Sequence, residues 1–239
     1  MLMSMFRNTA HLALAGAVAM MATSLPAWSQ ESNQQRAETQ AEVVGSQATL
    51  TNLMRDPDAK WFQDNIGSAK GVLLSSEVLV KARVLKAGAG GRSVLLVKGA
   101  DGKWRGPVFA SITLEPSAFK EGVKASEVAA LVMTDKGIAA LTGPGAKLGG
   151  DVSYAAGPVG TGAAGPVTAD VVGYTRVKGA YGGVNLDGAS VKPYADWNAA
   201  YYNAPGVQVK DILSGKATSR DTVSLLNAVN KASGGGAKK

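Results

Sequence analysis

The sequence predicts an α+β fold: a glycine-rich antiparallel β-sheet or barrel-like core with helices at the N- and C-terminal ends. Three observations carry this. Between Gly71 and Asp187 the chain consists of short Val- and Leu-rich runs separated by glycines, and 30 of its 239 residues are glycine. Before Gly67 and after Asp196, apolar residues recur at helical spacing instead. Strands grouped together, with helices outside them, point to α+β and not to alternating βαβ units.

Residues 1–29 read as a secretory signal peptide. Leu12–Leu25 (LALAGAVAMMATSL) is apolar but shorter than the about 20 residues that a membrane-spanning helix needs. Small residues at Ala27 and Ser29 place the expected cleavage between Ser29 and Gln30, so the expected location is periplasmic or secreted. The alternative for this stretch is an uncleaved anchor helix. Residues 30–47 are rich in Gln and Glu with little to bury, and read as a flexible polar lead-in with some helical character. A single domain is expected over 48–232, followed by a disordered tail at 233–239 (SGGGAKK).

Within the domain the elements follow from turn and capping signals. Thr49–Arg55 predicts a short helix. Asp56-Pro57 then offers an N-cap and a first-turn proline for a helix through Trp61, Phe62 and Ile66 that stops at Gly67. Gly71–Leu74 and Val78–Val84 predict strands, the second placing Lys81 and Arg83 on one face, although so short an apolar run also allows a helix. Ala87–Gly91 reads as a hinge or bulge before a strand at Ser93–Lys98. Asp101-Gly102 predicts a hairpin turn into Trp104 and a strand at Pro107–Leu114. Ala125–Thr134 is a further apolar run and Lys136–Leu141 a short helix. Strands are expected at Lys147–Ala156, Val167–Val177 and Tyr181–Asp187. Helices are expected from Asp196 or Asn198, over Val207–Leu213 up to Gly215, and over Thr222–Lys231, the last capped by Ser219 and carrying Val223, Leu226 and Val229 at helical spacing.

Charge is unevenly placed. The chain has 25 basic and 18 acidic residues, and Arg7 is the only charge in the leader. Lys70, Lys81, Arg83, Lys86, Arg92, Lys98, Lys103 and Arg105 fall in one stretch, opposed only by Glu77 and Asp101. The plain interpretation is a solvated basic face. The sharper one is a surface that meets anions, and for an exported protein acidic lipid headgroups are nearer to hand than nucleic acid. Trp61, Phe62 and Ile66 share a helix face, which either inserts in a membrane interface or docks on the core; core docking is favoured because the segment is short and weakly basic.

Catalysis finds little support. The chain has no cysteine, and its one histidine, His11, lies in the leader. A mature chain without His or Cys excludes a Ser-His-Asp triad, a thiol nucleophile and ordinary zinc chemistry, so no metal and no cofactor are expected. Gly160-Thr161-Gly162-Ala163-Ala164-Gly165 matches a dinucleotide-binding pattern in letters, but Pro166 and a β-branched run follow where a helix N-terminus is needed. Gly143–Lys147 lacks the hydroxyl residue of a phosphate loop, and Ser117–Lys120 lacks the companion motifs of serine–lysine acyl enzymes.

Several fragments, in order, resemble the SYLF-domain family, lipid-binding proteins that include yeast actin-patch regulators. They are Ala69-Lys70-Gly71-Val72-Leu73, Lys86-Ala87-Gly88, Gly102–Pro107, Leu131–Thr134, Leu148–Asp151, Ala156–Gly160, Tyr174–Gly179, Tyr181–Val184, Leu186–Gly188 and Asn198–Tyr202. The resemblance covers roughly residues 60 to 230. Two departures fall in the basic stretch: Ser75-Ser76 stands where the family commonly has an aromatic-proline pair, and Ala87–Gly91 is shorter than the usual hinge and lacks its aromatic. The resemblance implies one α+β domain, no catalysis, and binding of phosphoinositides or other acidic phospholipids through a leading amphipathic helix and basic residues. Actin is not carried over to a protein exported to its own envelope.

The expected function is therefore non-enzymatic binding of anionic phospholipid at a membrane surface. Headgroup contacts are expected from Lys81, Arg83, Lys86, Arg92, Lys103 and Arg105, and interfacial anchoring from Trp61, Phe62 and Trp104. The alternative is a structural or interaction protein that docks on an envelope protein partner.

Overall fold

The computed structural model describes residues 27–79, 89–114, 125–158, 167–177, 180–182 and 186–234. A long helix, α1 (Ala27–Leu53), leads through a 3-10 turn at Pro57–Ala59 into α2 (Lys60–Asn65). Strands β1 (Gly71–Ser75), β2 (Val78–Leu79), β3 (Ala89–Lys98), β4 (Trp104–Leu114) and β5 (Ala125–Val132) follow. After α3 (Asp135–Thr142) come β6 (Ala146–Lys147), β7 (Tyr154–Ala156), β8 (Val171–Val177), β9 (Ala180–Gly182) and β10 (Ser190–Pro193). The chain closes with α4 (Ala195–Tyr202), α5 (Val209–Leu213) and α6 (Val223–Ala232).

The ten strands of the described residues belong to one sheet, ordered β6-β10-β4-β3-β1-β5-β8-β7, with β2 beside β3 and β9 beside β8. It curls into a half-barrel with helices at both ends of the sequence, which is the expected α+β architecture. One pair departs from the antiparallel rule, since β7 runs parallel to β8.

Registers show how the two faces are used. Leu74 lies opposite Val94 and Ala129, Val94 opposite Phe109, and Ala129 opposite Tyr174, so these side chains share one face. Their chain neighbours Leu73, Leu95, Val108, Ala130 and Gly173 line the other by the same pairings. The first face carries helices. The ring of Phe62 meets Tyr174 edge-on at 5.8 Å, and Phe109 packs against Trp197 and Tyr201 of α4. α1 lies along the same face against β1, β3 and β5 and touches α4 and α6. The second face continues through Ile112, Val191 and Ala146 and is closed by the curl of the sheet. Every residue of β1 is buried, so the middle of the sheet is covered on both sides.

Local signals behave as their chemistry requires. The Asp56 side chain accepts the Asp58 N–H at 2.9 Å ahead of Pro57, and Ser219 accepts the Asp221 N–H ahead of the last helix. Gly102 closes the β3–β4 turn at φ +76°, a backbone region that glycine adopts without penalty.

Several expectations need correction. Residues 30–47 are not a free lead-in: they belong to α1, whose inward side carries Thr39, Glu42, Val43 and Ser46, all buried. Lys147–Ala156 is not one strand, because a turn in which Asp151 accepts the Lys147 N–H separates β6 from β7. Val223 is exposed, and the buried stripe of α6 is Leu225 and Val229. Ser233, assigned to the tail, instead accepts the Trp104 indole N–H at 3.1 Å. β10 answers to no strand expected from the sequence.

Buried Asn198 joins helix to sheet. Its carboxamide oxygen accepts the Phe109 N–H at 2.9 Å, and its nitrogen donates to the carbonyls of Phe109 and Tyr194 at 3.1 and 2.9 Å. Asn198→Ala leaves the Phe109 N–H without its acceptor and is expected to cost about 2–3 kcal/mol in denaturant unfolding. Asn198→Asp is expected to cost more, because it buries a charge and turns acceptor oxygens toward two carbonyls. Equal stability of the two variants would contradict this role.

Candidate functional site

The basic stretch begins just ahead of β1 and runs through the β3–β4 hairpin, so strand geometry decides where its described charges point. Lys81, Arg83 and Lys86 lie outside the described residues. Arg92 sits near the start of β3, whereas Lys103 and Arg105 flank the turn at its far end. Six residues of strand separate Arg92 from Lys98, a distance of about 20 Å. The structure therefore does not gather Arg92, Lys103 and Arg105 into one patch.

Most of the described cations are engaged. Lys70 pairs with Asp135 at 2.8 Å. Lys98 donates to the Gly67 carbonyl at 2.6 Å and lies 5.1 Å from the centre of the Trp104 ring. Arg105 grips both oxygens of Asp101, at 2.9 and 2.8 Å, and that guanidinium holds the Asp101 carboxyl below its ordinary pKa. Lys103 is exposed at the turn.

The three proposed anchors divide as well. Phe62 is fully buried against Tyr174, and Trp104 is 5% exposed with its indole N–H engaged. Neither ring is presented to a membrane in this conformation, because each fills the gap between sheet and helices. Trp61 is half-buried and packs on the edge of the core.

The most concentrated polar geometry surrounds Arg92. Its guanidinium pairs with Glu38 of α1 at 3.1 Å and lies over the Trp197 ring at 3.8 Å. Continuing the β1–β3 register beyond Leu74↔Val94 brings Ser76 opposite Arg92, on the helix-bearing face. There Glu42, buried in α1, accepts the Ser76 N–H at 3.1 Å and the Ser46 hydroxyl at 3.2 Å on one oxygen. Its other oxygen accepts the Ser76 hydroxyl at 2.8 Å. Gly45 makes this approach feasible: a Cβ there would lie 2.4 Å from the Ser76 Cβ. Sequence reading missed Glu38, Glu42, Ser46 and Ser76. The available signal was Gly45 in mid-helix, where glycine costs about 1 kcal/mol relative to alanine and so marks a close contact.

A second polar hub is structural. Asp170 accepts from the Thr134 hydroxyl at 2.5 Å and from the Ser153 N–H and hydroxyl at 2.9 and 2.8 Å. The Thr134 hydrogen bond leads in pulling its pKa down to about 2. Among the described residues no group of three or more His, Cys, Asp or Glu is placed to hold a metal, and no helix is long and apolar enough to cross a membrane.

Comparison with known proteins gives the kinship. A family model described as Ysc84, Las17-binding protein actin regulator, matches residues 117–232. The SH3 domain-containing YSC84-like protein 1 of Bos taurus is 29% identical over 158 residues, covering 64% of this chain and 46% of the relative. Its counterpart in Mus musculus is 28% identical over 172 residues, covering 68% and 50%. LAS seventeen-binding protein 3 of Saccharomyces cerevisiae is 26% identical over 160 residues, covering 64% and 34%. The chain thus spans about half the length, or less, of the curated relatives it matches.

Burial outweighs the hydrogen bonds to Ser76 and Ser46 and raises the Glu42 carboxyl from 4.5 to about 7. A carboxyl raised on folding contributes stability that is complete below its unfolded pKa and is lost as pH rises through the folded one. Wild-type stability is therefore expected to fall between about pH 4.5 and 7 relative to Glu42→Gln, by on the order of 3 kcal/mol at most. Thermal or denaturant melts at pH 5 and pH 8 measure the difference; parallel pH profiles would show that Glu42 is not the titrating group.

Proposed function

The chain belongs to the SYLF, or Ysc84, family, and from that premise we propose that it binds anionic phospholipid at a membrane surface in the cell envelope, without catalysis. The observation that carries this reading is the placement of charge: eight basic residues and two acids lie between Lys70 and Arg105. The remaining excess of bases over acids in the chain is small. A phosphoinositide-like or other acidic headgroup is the ligand that such an excess of positive charge favours, each lysine or arginine contributing about 1 kcal/mol near an anionic bilayer.

The cations act as two groups and not one. Lys81, Arg83 and Lys86 precede Arg92 in sequence and lie outside the described residues. Lys103 and Arg105 form the second group at the opposite end of β3. Exposed Lys103 and half-buried Trp61 remain available at the surface, whereas Phe62 and Trp104 would contribute only after a rearrangement. In this reading the protein is exported, its leader removed between Ser29 and Gln30, and works in the periplasm or outside the cell.

A second reading is a module that docks on a protein partner. It is favoured by the description of the family as Las17-binding and by the yeast relative, a LAS seventeen-binding protein, and it requires no lipid.

Co-sedimentation with vesicles tests the first reading. Binding is expected to vesicles containing acidic lipid, to weaken as salt rises, and to be absent on neutral vesicles. Equal and salt-insensitive binding to both would remove it, and recovery of one stoichiometric protein partner without lipid would favour the second. Lys103→Glu is expected to weaken vesicle binding several-fold without lowering the melting temperature, since the residue is exposed. For export, N-terminal sequencing of the protein from the periplasmic fraction is expected to begin at Gln30; an intact Met1 in that fraction would contradict cleavage.

A further inference from the structure

Within the lipid-binding reading, on which this inference rests, we propose that Ser76 and Arg92 form a site for the phosphate of an acidic headgroup. Glu38 and Glu42 of α1 fill that site as an internal stand-in, so α1 masks it until displaced.

The donor set is already assembled. Ser76 offers its N–H and hydroxyl from the end of β1, and Arg92 offers its guanidinium from the facing position of β3. All of them now end on carboxylate oxygens. Carboxylate and phosphate accept the same N–H and O–H donors, and a guanidinium fork serves both. Arg92 does not depend on α1 for its position, because it rests on the Trp197 ring. The site would therefore stay arranged after the helix left.

α1 is attached in a way that permits this. Of its buried apolar residues, Leu50 and Leu53 lie at the C-terminal end, and Val43 stands beside Glu42. Toward the N-terminus the contacts are predominantly polar: Arg36 and Gln40 to Asp221, Glu38 to Arg92, and Glu42 to Ser76. A buried carboxylate is a poor means of holding a helix, since an apolar side chain of like size generally does so at lower cost in desolvation. The helix can thus peel from its N-terminal part while Leu50 and Leu53 hold the rest.

The test measures affinity of the full chain for vesicles containing phosphatidylglycerol. Three variants are compared with wild type: Glu38→Gln/Glu42→Gln, Gly45→Ala, and Asp58→Asn/Asp64→Asn. The third neutralises two exposed carboxylates elsewhere and sets the general effect of charge, about fivefold per charge at most. Gly45→Ala changes no charge and pushes α1 from Ser76. Masking requires Gly45→Ala to raise affinity several-fold, and Glu38→Gln/Glu42→Gln to raise it beyond the third variant. It also requires Arg92→Gln to cancel the gain in both backgrounds. Hydrogen exchange at the Ser76 amide reports release of α1 independently and is expected to quicken in Gly45→Ala. Gains that match the charge control, or that survive Arg92→Gln, would overturn the masked site while leaving lipid binding intact. Absence of binding to acidic vesicles by every form would overturn the lipid reading and the inference with it. Millimolar inorganic phosphate that abolishes the gain at constant ionic strength would assign the site to free phosphate and overturn its lipid role.

Discussion

β1 must be covered on both faces, and this requirement shapes the whole molecule. Its five residues are all buried, with β3 and β5 hydrogen-bonded on either edge. A strand in that position leaves no face for solvent, so the sheet needs two different kinds of cover. On one side helices supply it, with Phe62, Trp197 and Tyr201 wedged between helix and sheet. On the other the sheet curls over itself, bringing Ile112, Val191 and Ala146 into line. Asn198 then ties α4 to β4 where a helix backbone, already bonded within itself, has no donors to spare.

What was legible in the sequence was what short-range chemistry decides. Asp56-Pro57, Asp101-Gly102 and Ser219 each fix a turn or cap with their own side chain or backbone, and the structure uses all three. Gly71–Leu74 and Ser93–Lys98 read as strands because an unbroken Val/Leu run has few other uses at that length. α1 was less legible because its inward side is made of Thr39, Glu42, Ser46 and Thr49 as much as of Val43, Leu50 and Leu53. No apolar periodicity marks such a helix; small polar side chains bury well only when a particular neighbour supplies their hydrogen bonds. β10 was hidden for another reason. Ser190–Pro193 has one buried apolar residue, Val191, and becomes a strand only because β4 and β6 lie on either side of it.

Charge shows the same division between sequence and space. Arg92 and Arg105 are close in sequence, yet a hairpin carries one to each end of β3. Counting charges along the chain finds the excess but not its geometry, and it is blind to acids that arrive from afar. Glu38 and Asp135 neutralise Arg92 and Lys70 from other elements. Tryptophan is subject to the same limit: Trp104 sits among basic residues in sequence but spends its ring on the core and on Ser233.

The Ser75-Ser76 departure from the family pattern belongs with the polar inward side of α1. An aromatic-proline pair at 75 and 76 would leave position 76 without an N–H, since proline has none, and without a hydroxyl. Glu42 would then face the strand with neither of its Ser76 donors, and a buried carboxylate without donors does not remain in place. Ser75 contributes too, donating its hydroxyl to the Arg92 carbonyl and giving its own carbonyl to Thr49. The two serines and the polar inward side of α1 are therefore one feature seen from two elements. An aromatic-proline pair at 75 and 76 is therefore incompatible with Glu42 as it is held here. Ser75-Ser76 is thus less a loss of a family motif than the strand half of a helix contact built from hydrogen bonds.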